Sequence, residues 1–565
     1  MTSQEKYGEW LRKYPDMAQE LAAIADDARE IEDRFYTTLS FGTAGMRGVL
    51  GAGENRMNCV IIRRATRALA DTILETPGGR SRPVVIAYDS RRMSDVFAKE
   101  TALTLAACGV KALLFPSLRP VPVLSFAVRH LKAIAGVVIT ASHNPPAYNG
   151  YKVYWEDGAQ LPPAQADGIQ AKMRTVPETL PMDEARAREA GLLADVPASV
   201  DDAYCDRVAG LSIQPDMLRA HGKELTIVYS PLHGSGNLPV RRVLRQVGIE
   251  NLLVVPEQEL PDPNFSTVRV PNPEERDAMR LAVTLADKHG ADVAFATDPD
   301  CDRLGVAARE PSGDYRILTG NQIGCLLLYY ILSQRQAQGT LPKDGVTVKS
   351  IVSTEMARAI ASSFGVETRD VLTGFKFIAE QIQDMEERGG SFLFGFEESY
   401  GFLSSTFVRD KDAVNASLLV AELALWLKRC GKTLHGLLQE LYARYGAYAD
   451  AVRSIALPGK DGLEKMRSLM AALRENPPKA LAGLEILAVR DYQTGLRTDA
   501  RGGAPMGMTA SDVLYYEMQG GPWVCVRPSG TEPKIKVYVN ACAPEMEQAQ
   551  DLAGRLMEAM AALLS

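Results

Sequence analysis

Three aspartates at alternate positions form the most specific chemical pattern in the sequence. They lie in Asp298-Pro299-Asp300-Cys301-Asp302-Arg303, directly after an apolar run typical of a buried strand. On a tight turn, carboxylates spaced in this way can direct three hard oxygens at one cation, and Mg²⁺ prefers such ligands. An EF-hand needs Gly at the sixth position and Glu at the twelfth, where this chain has Arg303 and Arg309. The pattern favours a magnesium site over aspartates that cap a helix.

A serine at the end of another apolar run is a candidate nucleophile. The segment Thr140-Ala141-Ser142-His143-Asn144-Pro145 follows the run that ends at Ile139. It lacks the G-x-S-x-G pattern of the hydrolases, and the adjacent His143 is not expected to fold back as the base of a triad. Taken alone, the segment is more typical of a turn closed by the side chain of Asn144.

Two further loops carry groups that bind phosphate. The segment Arg527-Pro528-Ser529-Gly530-Thr531-Glu532-Pro533-Lys534 offers a guanidinium, two hydroxyls, a glycine amide and a lysine, and it fits either a phosphate clamp or a hairpin turn. The segment Gly42-Thr43-Ala44-Gly45-Met46-Arg47-Gly48 permits close approach to an anion or serves as a connector. No Walker A sequence occurs, so an ATP-driven kinase would lack its usual phosphate cradle.

A glycine-rich turn after a further strand candidate raises the question of dinucleotide binding. In His233-Gly234-Ser235-Gly236 the position of the fingerprint's final glycine is occupied by Pro239. We interpret this segment as a structural turn between a strand and a helix, without NAD.

Composition excludes several classes of partner. The net charge of -7 supplies no broad basic surface, so nucleic acid is not expected. The longest apolar stretch, residues 326–332, is too short to span a membrane, and the first residues lack the apolar core of a signal peptide. The eight cysteines include no C-x-x-C pair, which is typical of reduced thiols. We therefore expect a cytoplasmic protein without membrane or nucleic-acid partners.

The elements that must position these loops follow a repeating order. Residues 4–39 are predicted to be mostly helical, with a break near Pro15. After them, apolar runs alternate with amphipathic segments, as in α/β domains, and four runs end in polar loops where ligands bind in such sheets. One loop per domain predicts an N-terminal arm at 1–40 and domains at 41–210, 211–315, 316–445 and 446–565.

Together and in this order, the motifs resemble the α-D-phosphohexomutase superfamily, and within it the phosphoglucomutase/phosphomannomutase members with a helical N-terminal extension. The resemblance runs from Phe41 to Val539 and includes Gly395-Phe396-Glu397-Glu398-Ser399-Tyr400-Gly401 as the sugar loop. It implies an α/β fold of four domains around a central cleft. Three similar mixed-sheet α/β domains would precede a smaller C-terminal α+β domain that resembles the TATA-binding protein.

The resemblance also implies a role for each motif residue. Ser142 would carry a phosphoryl group, and Mg²⁺ would be bound by Asp298, Asp300, Asp302 and the phosphate on Ser142. Arg47 and Arg303 would add positive charge, while His143 and Lys152 are the candidates for proton transfer. The residues expected to bind the sugar are Lys376, Glu397 and Ser399, and those expected to hold the non-reacting phosphate are Arg527, Ser529, Gly530, Thr531 and Lys534.

The implied reaction interconverts glucose 1-phosphate and glucose 6-phosphate, with glucose 1,6-bisphosphate as intermediate and activator. Glu398 favours glucose over mannose, since members that handle both sugars commonly have Met there. Phosphomannomutase, phosphopentomutase and glucose 1,6-bisphosphate synthase activities remain alternatives, as do a metal-dependent phosphatase and a non-catalytic sugar-phosphate binding protein. Small phosphosugars are the expected partners, and the chain is expected to be a monomer or a homodimer.

Overall fold

The N-terminal arm consists of short helices that pack on the first domain. The computed structural model describes residues 1–42, 45–457, 462–528 and 534–564. The arm contains α1 (Ser3–Lys13), α2 (Ala18–Ala22) and α3 (Ala28–Phe35), with a 3₁₀ turn at Pro15–Met17. Thr2 and Glu5 form a capping box at α1, and the rings of Trp10 and Phe35 lie 5.8 Å apart in the core of the first domain. The predicted break near Pro15 is confirmed.

The first domain is built on a seven-stranded mixed sheet. Its strands are β1 (Phe41–Gly42), β2 (Gly45–Val49), β3 (Val84–Tyr88), β4 (Ala112–Leu114), β5 (Ala135–Ile139), β6 (Tyr148–Trp155) and β7 (Leu193–Asp195), in the order β1-β2-β6-β5-β3-β4-β7. Its helices are α4 (Cys59–Glu75), α5 (Ser94–Ala107), α6 (Val121–His130), α7 (Pro163–Met173), α8 (Glu184–Glu189) and α9 (Ser199–Ala209), with a 3₁₀ turn at Gly79–Ser81. Strands β3, β4, β5 and β7 are parallel.

Alternate residues of the central strand β3 face two different cores. Val84 and Ile86 pack with the arm, α4 and α5, whereas Val85 and Ala87 pack with α6 in a core to which all four domains contribute. Side chains alternate across a strand, so the sheet is covered on both faces. Strand β5 is fully buried and ends at Ile139, three residues before Ser142.

The second domain contains a five-stranded mixed sheet. Its strands are β8 (Ile227–Ser230), β9 (Leu252–Val254), β10 (Val293–Thr297), β11 (Leu304–Arg309) and β12 (Tyr315–Ile317), in the order β12-β11-β10-β8-β9. Its helices are α10 (Pro215–His221), α11 (Asn237–Gln246), α12 (Pro256–Glu259) and α13 (Arg276–His289), with a 3₁₀ turn at Gly222–Glu224. The aspartate-rich loop joins the antiparallel strands β10 and β11. The turn at residues 233–236 joins β8 to α11, as predicted.

The third domain has a four-stranded mixed sheet. Its strands are β13 (Gly345–Ser350), β14 (Glu367–Val371), β15 (Ser391–Glu397) and β16 (Gly401–Leu403), in the order β14-β13-β15-β16. Its helices are α14 (Gly320–Ala337), α15 (Met356–Ser363), α16 (Phe375–Arg388), α17 (Ala413–Arg429) and α18 (Leu434–Tyr445). Strands β13, β14 and β15 are parallel, and β16 is antiparallel to β15. The predicted sugar loop therefore joins two neighbouring strands.

The fourth domain differs from the other three because its sheet is antiparallel throughout. Its strands are β17 (Ala447–Ala456), β18 (Ala480–Leu481), β19 (Leu484–Asp491), β20 (Leu496–Asp499), β21 (Gly502–Pro505), β22 (Leu514–Met518), β23 (Trp523–Pro528) and β24 (Lys534–Ala543). The helices α19 (Gly462–Glu475) and α20 (Met546–Leu563) complete a separate core. The predicted fold class, three mixed-sheet α/β domains followed by a smaller α+β domain, is confirmed. No helix within the described ranges is long and apolar enough to cross a membrane.

Candidate functional site

Ser142 is held in a strained backbone conformation at the end of β5. Its φ of +53° lies in the left-handed region, which costs roughly 1–3 kcal/mol for a residue other than glycine. The amide of Ser142 donates to Thr140 Oγ1 at 2.8 Å, and Thr140 Oγ1 in turn donates to Asp89 Oδ2 at 2.6 Å. The Ser142 hydroxyl is buried and donates to Asp298 Oδ2 at 2.8 Å. Ser142 therefore combines a strained backbone conformation with a side-chain hydrogen bond to the second domain.

The loop between β10 and β11 gathers three buried carboxylates. One oxygen of Asp298 accepts hydrogen bonds from the amides of Asp302 and Arg303, both at 3.0 Å, which closes the turn and leaves the other oxygen for Ser142. Asp298, Asp300 and Asp302 each present an oxygen within 4.8 Å of the others. The loop is held from outside as well, because the amide of Val121 donates to Asp300 O at 2.9 Å.

Two lysines from other domains pair with two of these carboxylates. Lys152 Nζ, on β6, lies 2.7 Å from Asp300 Oδ2 and 3.7 Å from Asp302 Oδ2. Lys411 Nζ, in the loop before α17, lies 3.2 Å from Asp302 Oδ2. A Cβ added at Gly401 would lie 2.1 Å from Lys411 Cδ, so only glycine leaves room for this lysine. The first three domains therefore each contribute charged groups to one centre.

The protonation of the carboxylates follows from burial and from these cations. Burial raises the pKa of Asp298 well above its ordinary value, and the neighbouring Asp300 and Asp302 raise it further. Burial would also raise the pKa of Asp300, but Lys152, with Arg47, outweighs this effect and holds the pKa below its ordinary value. Like charges so close together in a buried site need a compensating cation.

The three carboxylates fit a divalent cation. Asp300 Oδ1 and Asp302 Oδ1 are buried, and neither has a hydrogen-bond partner in the described part of the chain. Buried carboxylate oxygens without a partner are costly, and a metal ion would satisfy them. Hard oxygen ligands alone, without sulfur or imidazole, match Mg²⁺ rather than zinc.

Two arginines bring further positive charge to the serine. Arg47 Nη1 donates to Asn144 Oδ1 at 3.1 Å, and Arg303 forms an ion pair with Glu274. The Nε atoms of both arginines are buried without a hydrogen-bond partner among the described residues. Burial lowers the pKa of Arg47, whereas Glu274 and the aspartates outweigh burial and raise the pKa of Arg303. These donors are suited to the oxygens of a phosphoryl group.

His143 lies close to the neighbouring serine, although Ser142 Oγ donates its hydrogen bond to Asp298 and no triad is formed among the described residues. His143 Nδ1 lies 3.2 Å from Ser142 Oγ. Burial, followed by the charges of Arg303 and Arg47, lowers the pKa of His143 well below its ordinary value. The side chain of Asn144, which in the segment taken alone is typical of a turn closure, accepts a hydrogen bond from Arg47 at its Oδ1.

The predicted sugar loop lies beside this centre. Glu397 is buried, and its Oε1 accepts a hydrogen bond from the amide of Gly374 at 2.6 Å. Burial raises the pKa of Glu397, and Lys411 opposes the rise. Ser399 is partly buried in the turn between β15 and β16. Lys376 is buried in the first turn of α16, and its charged neighbours are Glu380 and Asp167 rather than Glu397.

A basic cluster from the fourth domain lies close to Glu398. Arg527 on β23 pairs in register with Lys536 on β24, and Lys534 begins the same strand. Burial lowers the pKa of Lys536, and Arg527 and Lys534 lower it further, as expected where cations crowd together. The predicted residues Ser529, Gly530 and Thr531 lie outside the described residues.

Glu398, the neighbour of Glu397 in the predicted sugar loop, has a raised pKa. Its Oε2 accepts a hydrogen bond from Ser350 Oγ at 3.1 Å. Burial, with the charge of Glu397 beside it, raises the pKa of Glu398 to about 7. The carboxyl group therefore exists in both forms near neutral pH.

Sequence reasoning missed four residues of this neighbourhood. Asp89 and Arg91 follow β3 and support the serine loop, Lys411 contacts the aspartates, and Lys536 joins the basic cluster. The runs Asp89-Ser90-Arg91-Arg92 and Arg409-Asp410-Lys411-Asp412 were visible as charged segments beside apolar ones. Nothing in the spacing of Lys536 distinguishes it from an ordinary surface lysine.

Four family models match the chain in succession. They describe phosphoglucomutase/phosphomannomutase alpha/beta/alpha domain I at residues 38–179, domain II at 202–313, domain III at 319–445 and the C-terminal domain at 469–559. A phosphoglucomutase of Staphylococcus aureus strain MRSA252 is 38% identical over 543 residues, which cover 95% of this chain and 96% of the relative. The phosphoglucomutase of strain N315 is also 38% identical, over 523 residues and 92% of each chain.

Solved structures share the fold over nearly the whole length. A protein from Thermus thermophilus, provisionally described as a phosphomannomutase, has a TM-score of 0.69 at 26% identity and matches over 94% of this chain and 99% of its own. A phosphoglucomutase/phosphomannomutase family protein from Burkholderia thailandensis has a TM-score of 0.67 at 19% identity, over 93% and 96% of the two chains.

Proposed function

We propose that this chain, which belongs to the phosphoglucomutase/phosphomannomutase family, interconverts α-D-glucose 1-phosphate and glucose 6-phosphate. The four family models and the 38% identical relatives confirm the family resemblance that the motifs indicated. The observation that carries the proposal is the hydrogen bond from Ser142 Oγ to Asp298 Oδ2, inside a buried cluster of three aspartates and several cations. A serine in such surroundings is suited to carrying a phosphoryl group.

The chain's own residues would hold that phosphoryl group. The partnerless Nε groups of Arg47 and Arg303 are donors for the equatorial oxygens, and Lys152 balances Asp300 at their side. Mg²⁺ would be held by Asp298, Asp300, Asp302 and an oxygen of the phosphate on Ser142, and when bound it supplies positive charge to the phosphoryl oxygens.

Proton transfer must accompany attack by a sugar hydroxyl on the phosphoserine. The hydroxyl loses its proton as its oxygen bonds to phosphorus, and Ser142 Oγ leaves with the electron pair of the broken P–O bond. The proton that the hydroxyl releases is the one that Ser142 Oγ must gain. His143 is a candidate for carrying it, because its lowered pKa keeps it neutral and its Nδ1 lies 3.2 Å from that oxygen. Lys152 is the second candidate, since its Nζ lies in the same buried centre.

The rest of the sugar would be oriented by the third and fourth domains. Glu397 and Ser399 would hydrogen-bond the hydroxyls of the sugar, with Lys376 at the edge of this subsite. The non-reacting phosphate would be held by Arg527 and Lys534, together with Ser529, Gly530 and Thr531. Glucose 1,6-bisphosphate, the intermediate and activator, turns over so that its other phosphate returns to Ser142. The basic cluster must therefore accept a phosphate from either end of the sugar.

The test is conversion of glucose 1-phosphate to glucose 6-phosphate, with Mg²⁺ and catalytic glucose 1,6-bisphosphate. Wild type should turn over, and Ser142→Ala should lose turnover by at least about 10³-fold. Ser333→Ala is the matched control, because among the described residues that hydroxyl hydrogen-bonds only within its own helix, donating to Tyr330 O and accepting from Gln334 Nε2. A wild type inactive on glucose, mannose and pentose phosphates would favour a non-catalytic binding protein.

A further inference from the structure

We infer that Arg91 is a positioning residue for Ser142, an inference that rests on the proposed phosphoserine mechanism. Arg91 follows β3, and its side chain is fully buried. Its Nη1 donates to Pro145 O at 2.9 Å and to Tyr148 O at 3.1 Å. Its Nη2 donates to Ser142 O and Asn144 O, both at 2.5 Å. All four terminal N–H groups therefore bind carbonyls of the segment that carries the nucleophile.

A second residue of the same turn holds the other side of Ser142. Asp89 Oδ2 accepts from Thr140 Oγ1, which accepts from the Ser142 amide, so the amide is fixed through two hydrogen bonds. Asp89 Oδ2 also lies 3.3 Å from Arg91 Nε, which faces it as an ion pair. The amide and the carbonyl of Ser142 are thus fixed by one buried Asp–Arg pair.

This double attachment matters because the left-handed conformation of Ser142 is unfavourable by itself. Such a conformation persists only where its surroundings over-determine it. The conformation determines where Oγ lies relative to Asp298 Oδ2, and hence the line along which a phosphoryl group would leave. Phosphoryl transfer depends on in-line geometry, so the residue that fixes this backbone also sets the reaction rate.

Arg91 also joins the serine loop to the metal-binding domain. Its guanidinium lies over the ring of Phe265, 5.0 Å from the centroid, and Phe265 is buried in the core of the second domain. The adjacent Arg92 hydrogen-bonds Asn264 Oδ1. A displacement of the second domain would therefore also move the Arg91 guanidinium, which holds the Ser142 backbone. Arg91 thus provides a second connection between Ser142 and the second domain, besides the hydrogen bond to Asp298.

Arg91→Lys separates positioning from charge. Lysine keeps the positive charge, but it cannot donate four hydrogen bonds in the planar arrangement of a guanidinium. Arg82→Lys is the matched control: Arg82 holds a loop of the same domain through Lys132 O at 3.0 Å and Ala133 O at 2.8 Å, away from Ser142. Both variants are first phosphorylated with glucose 1,6-bisphosphate, and the phosphorylated fraction is measured by mass spectrometry.

The expected result is a loss confined to the transfer step. Per phosphorylated, folded enzyme, Arg91→Lys should lower kcat by about 100-fold with KM for glucose 1-phosphate within about twofold of wild type. Arg82→Lys should keep kcat within about twofold. Asp89→Asn should also lower kcat, because the amide cannot replace both carboxylate contacts, and it serves as the test if Arg91→Lys does not fold.

Several results would overturn the inference. Arg91→Lys could lose thermal stability yet keep the wild-type kcat per phosphorylated enzyme, which would reduce Arg91 to a structural role. An equal loss of kcat in Arg82→Lys would show that any loosened loop has this effect. A wild type that neither accepts phosphate on Ser142 nor turns over glucose 1-phosphate would instead reject the proposed function, and the role of Arg91 with it.

Discussion

Ser142 Oγ donates a hydrogen bond of 2.8 Å to Asp298 Oδ2, although the two residues lie in different domains and are separated by 156 positions in the chain. The contact places a hydroxyl on one face of the aspartate cluster, while Lys152 and Lys411 occupy its other sides. The nucleophile and the cation site are therefore parts of one centre, and its metal and charge requirements can be tested separately.

Magnesium should stabilise the protein, and Asp302→Asn should abolish that effect. A ligand at 100 times its dissociation constant raises the free energy of unfolding by about 2.7 kcal/mol. Asp302 Oδ1 is buried without a partner among the described residues, and an amide there would replace a charged oxygen ligand with a neutral, weaker one. Thermal unfolding with and without Mg²⁺ measures the effect, and Asp277→Asn, at an exposed position, is the control. Equal shifts in Asp302→Asn and wild type would contradict the metal assignment.

Lys152→Met should destabilise the metal-free protein by about 3–5 kcal/mol, because it removes the ion-pair partner of the buried Asp300 carboxylate. Mg²⁺ should recover part of the loss, since it would neutralise the same carboxylate. Urea unfolding without and with Mg²⁺ measures the loss of unfolding free energy and its recovery. Lys99→Met is the control: Lys99 pairs with Glu184 at 2.6 Å on the surface, where such pairs contribute about 0–1 kcal/mol. Similar losses of unfolding free energy in Lys152→Met and Lys99→Met would contradict the greater importance of the buried ion pair.

Asp412 should make the protein less stable as pH rises. It is buried, it caps α17 through the amide of Asn415 at 2.9 Å, and it accepts from Tyr204 Oη at 2.8 Å. Burial raises the pKa of Asp412 from 3.8 to about 6, and the hydrogen bonds offset burial only in part. The native state therefore binds the proton more tightly than the unfolded state does, and stability is lost as pH rises through the native pKa.

The size of this effect follows from the two pKa values. Between about pH 5 and about pH 7.5, wild type should lose about 1.4 kcal/mol through this group, whereas Asp412→Asn should not. The measurement is the difference in unfolding free energy between the two proteins at each pH. Asp216→Asn, at an exposed position, controls for the general effect of removing a charge. A difference that does not change with pH would contradict the assignment.

Glu398→Met should reduce the preference for glucose over mannose. Glu398 lies between Glu397 and the basic cluster, and its carboxyl can hydrogen-bond a sugar hydroxyl that a methionine cannot. Loss of such a contact should lower the glucose-to-mannose ratio of kcat/KM by about tenfold. The ratio is measured with the two 1-phosphates, and Glu387→Met, at an exposed position on α16, is the control. An unchanged ratio would remove Glu398 from substrate selection.

Much of the fold was visible in the sequence because its central strands are buried. The apolar run predicted to end at Ile139 is strand β5, and the apolar run predicted to precede Asp298 is strand β10. Continuous runs of apolar residues are typical of strands buried on both faces, so their positions can be read locally. The similarity of the first three domains came only from the family resemblance, since their residues show no repeat.

The site was only partly predictable, because its contacts join distant parts of the chain. The spacing of Asp298, Asp300 and Asp302 is local, and a pattern can reveal it. The approach of Lys411 to Asp302 depends on how the second and third domains pack. The left-handed backbone conformation of Ser142 is also hidden, because residue type does not indicate it for serine. The environment of Arg91 likewise requires the folded loop.

The most direct test of the central claim is the chemical state of Ser142 during turnover. The protein is incubated with glucose 1,6-bisphosphate, freed of ligand, and mapped by peptide mass spectrometry before and after addition of glucose 1-phosphate with Mg²⁺. The proposed mechanism predicts one phosphate on Ser142, which passes to the sugar when glucose 1-phosphate is added. A phosphate on another residue, or a phosphate on Ser142 that the sugar phosphate cannot remove, would contradict it.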